Sequence, residues 1–218
     1  MKLSTLKKLT PTLIAISAVC FYFFNHNKKV ESQKLLDEAK EHYNIGHLDS
    51  AKLAMLKYSK QNELTSNALS FLGTIYLETS NLDSSKIAYN KSLKLNSQNL
   101  KSLTGLGIIS RLSKDYEGAK EYYIKALTVK PNDPNTLSSL AIIYLKQGEF
   151  QKAVNTGEKA MQTKPIRQGI KGNLAIAYHF NKQLNKRDKL LHELQNEGYS
   201  KLGNLRLIIN GTISLEDF

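Results

Sequence analysis

The chain has 218 residues, 41% of them hydrophobic and 23% charged, which supplies enough apolar material for a packed core and excludes general disorder. Its one cysteine, Cys20, excludes a disulfide scaffold and a cysteine-rich metal site, and 7 Phe and 11 Tyr with no Trp weigh against an all-β sandwich. The net charge of +12 is uneven: +4 over residues 1–31, +3 over 32–133, +7 over 134–206 and −2 over 207–218, so the middle reads as helices with mixed-sign solvated faces.

Residues 1–8 form a basic flank carrying Lys2, Lys7 and Lys8. Residues 9–27 then run without a formal charge, LTPTLIAISAVCFYFFNHN, and as a helix would cover about 28 Å, close to the hydrocarbon thickness of a bilayer. Pro11 sits near the start, where a helix tolerates it, and Phe21, Tyr22, Phe23 and Phe24 would lie near one interface. The segment thus predicts an uncleaved transmembrane helix. A cleaved export signal shares the basic start and apolar run, but no small-x-small site is followed by a polar end. Lipidation of Cys20 is a third reading, for which Val19 is a poor preceding residue. Lys2, Lys7 and Lys8 outweigh Lys28 and Lys29, offset by Glu31, which places the N-terminus in the cytoplasm and the rest outside it.

From residue 32 onward the sequence repeats with a period of 34. Leu137, Leu140-Ala141, Tyr144, Gly148, Phe150, Ala153, Ala160 and Pro165 are matched one period earlier by Leu103, Leu106-Gly107, Tyr116, Ala119, Tyr123, Ala126 and Pro131. Before these come Leu69, Leu72-Gly73, Tyr76, Leu82, Tyr89 and Leu93, and the register extends to Ala39 and Ala51 upstream and to Ala175 and Tyr178 downstream. Five units follow: 32–65, 66–99, 100–133, 134–167 and 168–201. Each holds two apolar stripes at helical spacing around a polar turn near Gly46, Asn81, Asp115 or Gly148. Small residues at Ala39, Gly73, Gly107, Ala141 and Ala175 let paired helices approach, and tyrosines fill the gaps between turns. Asp133-Pro134 reads as an N-cap followed by proline at the first helical position. Such units bury their stripes only when stacked. Arg187 takes the small-residue position of the last unit, so that unit reads as terminal, with Leu202, Leu205, Ile208, Ile209 and Ile213 forming a cap within 202–218.

This pattern resembles the tetratricopeptide repeat, most closely over LAIIYLKQGEFQKAV from Leu140 to Val154. Ser85, Ser92, Ser110 and Gly157 depart from the consensus. The resemblance implies an all-α, right-handed superhelix of five helix-turn-helix repeats and a capping helix, here preceded by the transmembrane helix. It also implies a concave groove, lined by the first helix of each unit, that takes a protein or peptide segment. The matching positions are Asn67, Ser70, Thr74 and Leu77; Lys101, Thr104, Ile108 and Arg111; Asn135, Ser138, Ile142 and Leu145; and Gly169, Gly172, Ile176 and His179. Ile108, Ile142 and Ile176 form an apolar row that is either open to a partner or covered by neighbouring helices or by the C-terminal segment. Members of the family that clamp chaperone tails carry Lys, Asn and Arg where this chain has Ser70, Thr74, Gly105, Asn135 and Ser138-Ser139, so that clamp is absent.

Chemistry is otherwise missing. No phosphate loop, zinc-protease helix, nucleophile elbow or CxxC pair occurs, and His26, His42, His47, His179 and His192 are scattered. The expectation is a non-enzyme without metal or cofactor. The excess charge of 134–206 predicts a basic face around Lys182, Lys186, Arg187 and Lys189, suited to an acidic partner or anionic lipid. Nucleic acid is disfavoured because the lysines lack interleaved aromatic platforms. The chain reads as a membrane-anchored scaffold recruiting a protein into a membrane or envelope complex. The alternatives are a soluble exported or regulatory protein binding an acidic partner, or an N-anchored organelle import receptor.

Overall fold

A computed structural model describes residues 11–163 and 166–215; the basic flank 1–8, residues 9 and 10, Lys164, Pro165 and 216–218 lie outside the described residues. Among the described residues there are eleven α-helices and no strand. They are α1 Pro11–Asn44, α2 Leu48–Gln61, α3 Ser66–Glu78, α4 Leu82–Leu95, α5 Leu100–Leu112, α6 Tyr116–Val129, α7 Pro134–Lys146, α8 Phe150–Met161, α9 Gln168–Phe180, α10 Leu184–Asn196 and α11 Leu202–Ile209. They fall into two compact units. One holds α1, α2 and Glu78–Ser80; the other holds Thr65–Leu77 and the chain from Asn81 onward.

In the first unit α1 packs against α2 as a helical hairpin. Ala39 on α1 and Ala51 and Met55 on α2 are wholly buried. The turn closes by donation from His47 N to His42 O at 2.8 Å, with Gly46 at φ +82°, a left-handed conformation that glycine adopts without strain.

No described helix is long and apolar enough to cross a membrane. This overturns the transmembrane helix over 9–27 and with it the single-pass location that keeps the repeats outside the cytoplasm. The cause is polarity rather than charge. The strongly apolar part of the run, Leu13 to Phe24, is 12 residues, or about 18 Å of helix against roughly 30 Å of hydrocarbon. Thr10, Thr12, Asn25, His26 and Asn27 carry no charge but are polar, and α1 continues past them through Lys29 and Glu31. Ile16, Val19, Phe21, Tyr22 and Phe23 are exposed along it.

Within the second unit the helix pairs α3/α4, α5/α6, α7/α8 and α9/α10 stack as a solenoid. Each pair packs internally, and α5–α7 and α7–α9 pack from one pair to the next. Helices α4 to α7 start at side-chain caps: Asn81, Asn99, Asp115 and Asp133 each accept from the backbone N–H three residues on. The turn inside each pair is the same every 34 residues. Asp115 N donates to Ser110 O, Glu149 N to Tyr144 O and Gln183 N to Tyr178 O, at 2.8 to 2.9 Å. The left-handed residue just before is Lys114, Gly148 or Lys182.

Close approach within a pair depends on glycine. A Cβ at Gly107 would stand 2.5 Å from the Tyr123 ring, and one at Gly73 would stand 2.7 Å from Tyr89. Beyond α10, α11 packs on α9 and α10, and Leu205 and Ile208 are buried in a cluster with Leu145, Leu174, Ile176 and Leu190. The helical cap stops at Ile209. Asn210 Oδ1 accepts from Thr212 N and Oγ1, Gly211 takes φ +78°, and Ile213 N returns to Leu207 O at 3.0 Å. The chain then doubles back, so that Ile213 and Leu215 pack on the same cluster and Lys146 Nζ of α7 donates to Leu215 O.

Candidate concave site

The first helices of the stacked pairs, α3, α5, α7 and α9, carry the groove positions, and burial sorts them into three groups. Asn67, Lys101 and Asn135 are exposed at the N-terminal ends. Thr74, Leu77, Thr104, Ile108, Arg111, Ile142, Gly169 and His179 are half-buried. Ser70, Ser138, Leu145, Gly172 and Ile176 are buried.

Each of these burials has a local cause. Ser70 Oγ donates back to Asn67 O at 2.9 Å, and Ser138 Oγ accepts from Asn173 Nδ2 at 2.9 Å. Leu145 and Ile176 are covered by Leu205, Ile208, Ile213 and Leu215, so for Ile176 the row is covered by the C-terminal segment. Gly172 is closed off by Leu205 and Tyr199. The exposed amides have structural duties too. Asn67 Oδ1 accepts from Asn99 Nδ2 at 3.1 Å, and Asn135 Oδ1 accepts from Arg167 Nη1 at 3.4 Å, the same 32-residue link in two places. Thr74 and Thr104 donate to their own helix backbone, to Ser70 O at 3.0 Å and Leu100 O at 2.9 Å.

On α5 and α7 the half-buried Ile108, Arg111 and Ile142 lie with the half-buried Ser139 beside them. Beneath these residues the buried tyrosines of successive pairs end differently. Tyr89 is threaded between Gly73 and Gly105 and donates its hydroxyl to Thr74 Oγ1 at 3.1 Å. One period later Ile108 stands where Thr74 was and offers no acceptor. The Tyr123 hydroxyl is buried beside Arg111 and Ser139 without a well-formed hydrogen bond. Burial pushes this phenol up, and the guanidinium partly opposes it. Sequence reasoning assigns Tyr123 to packing between turns and Ser139 only to the absent clamp; the Thr74-to-Ile108 exchange one period apart is the signal that joins them.

Two of the four residues of the basic face are matched by carboxylates. Lys186 Nζ lies 2.9 Å from Glu158 Oε1 and sits over the Tyr178 ring, while Arg187 pairs with Asp188 at 2.7 Å and meets His179 Nδ1 at 3.1 Å. Lys171 bridges Glu193 and Glu197, and Lys152 bridges Glu149. Lys182 and Lys189 are exposed. Thus Glu158 and Asp188 offset Lys186 and Arg187, while Lys182 and Lys189 have no carboxylate partner among the described residues. Lys186 and then the Tyr178 hydroxyl hold the Glu158 carboxyl below its usual range. His179 is lowered by burial first, then by Arg187 and Lys182, which favours the neutral imidazole.

Two family models described as tetratricopeptide repeat match, one over residues 66–99 and one over 98–165. No curated protein matches the sequence. Among solved structures, a tetratricopeptide repeat protein from Parabacteroides merdae aligns at 17% identity and TM-score 0.64, over 83% of this chain and 73% of that one. TTC0263, a thermophilic tetratricopeptide protein of Thermus thermophilus, aligns at 18% identity and TM-score 0.67, over 83% and 97%. The Cut9–Hcn1 hetero-tetramer of the APC/C aligns at 18% identity and TM-score 0.72, over 80% of this chain and 35% of that one. At such identities the likeness is one of fold.

Proposed function

We propose that this chain, whose residues 66–165 are tetratricopeptide repeats, is a non-catalytic scaffold that holds a segment of another protein against α5 and α7. The observation that carries this reading is the half-buried patch of Ile108, Arg111 and Ile142 on the first helices of adjacent pairs. Ile176, the comparable isoleucine on α9, is sealed by the protein's own C-terminal segment. An apolar patch left partly open beside a charged group suits a ligand that supplies both kinds of contact. The patch lies between rigid stacked helices, so a segment docking there meets a preformed surface and loses less on ordering than it would on a mobile loop.

The test is affinity capture with the full chain against Ile108→Ser and Ile142→Ser, with Ile124→Ser as the control. Ile124 is an apolar residue 46% exposed on the second helix α6. The first two variants should lose the captured partner while far-UV circular dichroism is unchanged, and the control should retain it. Equal loss in all three variants would refute the concave site.

A further inference from the structure

We infer that Arg111, Tyr123 and Ser139 form a docking point for the carboxylate of an Asp or Glu side chain inside a partner segment, with Ile108 and Ile142 taking an apolar side chain of that segment. This rests on the scaffold reading above and adds the chemistry of what is held.

Four observations converge. The Tyr123 hydroxyl belongs to a side chain only 1% exposed and, with Arg111 and Ser139 beside it, makes no well-formed hydrogen bond, a condition that buried polar groups rarely keep. Its counterpart Tyr89 is satisfied inside the protein by Thr74, so the vacancy at Tyr123 is specific to this pair of repeats. Beside that hydroxyl lies Arg111, half-buried and, among the described residues, without a carboxylate within ion-pair distance. Elsewhere Lys171, Lys186 and Arg187 each have one. Ser139 adds a second hydroxyl at the same place.

A guanidinium can only donate, and both hydroxyls can donate, so the cluster is short of an acceptor. A carboxylate supplies up to four acceptor sites and meets a guanidinium in a two-point geometry. The charge of the groove agrees: its sixteen positions include Lys101 and Arg111 and no Asp or Glu. A side chain is favoured over a chain end because the half-buried surface continues on both sides of Arg111. Thr104 and Thr74 lie toward α3, and Ile142 lies on α7. A bound segment therefore passes through the site.

The experiment is selection of displayed random peptides on the full chain. Selected sequences are then synthesised with acetylated and amidated ends and titrated by fluorescence anisotropy. Asp or Glu beside an aliphatic residue should be enriched. Glu→Gln in the peptide and Arg111→Gln in the protein should each weaken binding about tenfold, and the two together little more than either alone, because they remove the same contact. Tyr123→Phe should weaken binding about threefold while the melting temperature holds or rises, since it removes a buried hydroxyl that makes no well-formed hydrogen bond. A merely structural tyrosine would not separate these two readouts.

The inference is overturned if selected peptides lack acidic residues, if the two losses multiply independently, or if binding requires a free C-terminal carboxylate. If peptides are lost on Ile142→Ser but indifferent to Arg111→Gln, the scaffold reading stands and only the carboxylate site falls. If no peptide is selected, or all are indifferent to Ile142→Ser, the concave site itself falls.

Discussion

Gly105→Ala puts the close packing of the repeats to a quantitative test. A Cβ built at Gly105 stands 2.3 Å from Cε2 and Cζ of Tyr89 and 2.7 Å from its hydroxyl. Carbon atoms in ordinary contact sit about 3.5–4.0 Å apart, so the ring or the helix must move by more than about 1 Å. The ring has nowhere to go: Tyr89 is 1% exposed, and its other edge already lies where a Cβ at Gly73 would be 2.7 Å away. In an open helix the change would stabilise by about 1 kcal/mol through backbone entropy. Overpacking costs about 1–3 kcal/mol, and displacing the ring also weakens the bond from Tyr89 to Thr74, worth about 1 kcal/mol. The net expectation is a loss of about 1–3 kcal/mol, read as a lower midpoint in urea unfolding followed by circular dichroism.

Gly203→Ala on α11 meets nothing within 4 Å and should instead gain up to about 1 kcal/mol. Adding Tyr89→Leu to Gly105→Ala should make the pair less damaging than the sum of the single changes, because the smaller side chain vacates the contested space. A Gly105→Ala protein as stable as the parent would refute the packing argument.

Two further outcomes follow from the fold. Ile176→Asp places a charge among Leu205, Ile208 and Leu190 and should cost several kcal/mol, collapsing the helical signal of the last repeats, whereas Ile108→Ser on the open patch should leave that signal intact. Burial acts to raise the Asp133 carboxyl, but Lys130 and the N–H and hydroxyl of Thr136 outweigh it and hold the carboxyl below 3.8. Its stabilisation is therefore present above that pH and is lost as pH falls through the lowered value. Asp133→Asn, which keeps a capping oxygen, should flatten this acid limb in urea titrations at stepped pH, and Asp133→Ala should also cost about 1 kcal/mol at neutral pH.

What could be read from the sequence was whatever local chemistry determines. The 34-residue register shows in Gly73, Gly107, Ala141 and Ala175 because two helices cannot meet there around a larger side chain. Asp133-Pro134 marks a helix start because capping involves residues three apart. The features that escaped depend on distant chain. Ile176 sits in register with Ile108 and Ile142, yet Leu205 to Leu215 fold back over it. Lys186 counts toward a basic stretch, yet Glu158 on α8 neutralises it. The membrane reading fails for a different reason: Asn25, His26 and Asn27 are uncharged yet polar.

The doubled-back C-terminus also bears on how the protein breathes. In a linear array each repeat is held only by its neighbours, so opening begins at an end and runs inward one unit at a time. Here the bond from Lys146 on α7 to Leu215 and the burial of Leu205 and Ile208 against α9 tie the final turn of chain to two successive repeats. The terminal helix pair cannot fray alone. Helices α7 to α11 are instead expected to open as one cooperative block, which hydrogen exchange would show as a common slow rate for their amides.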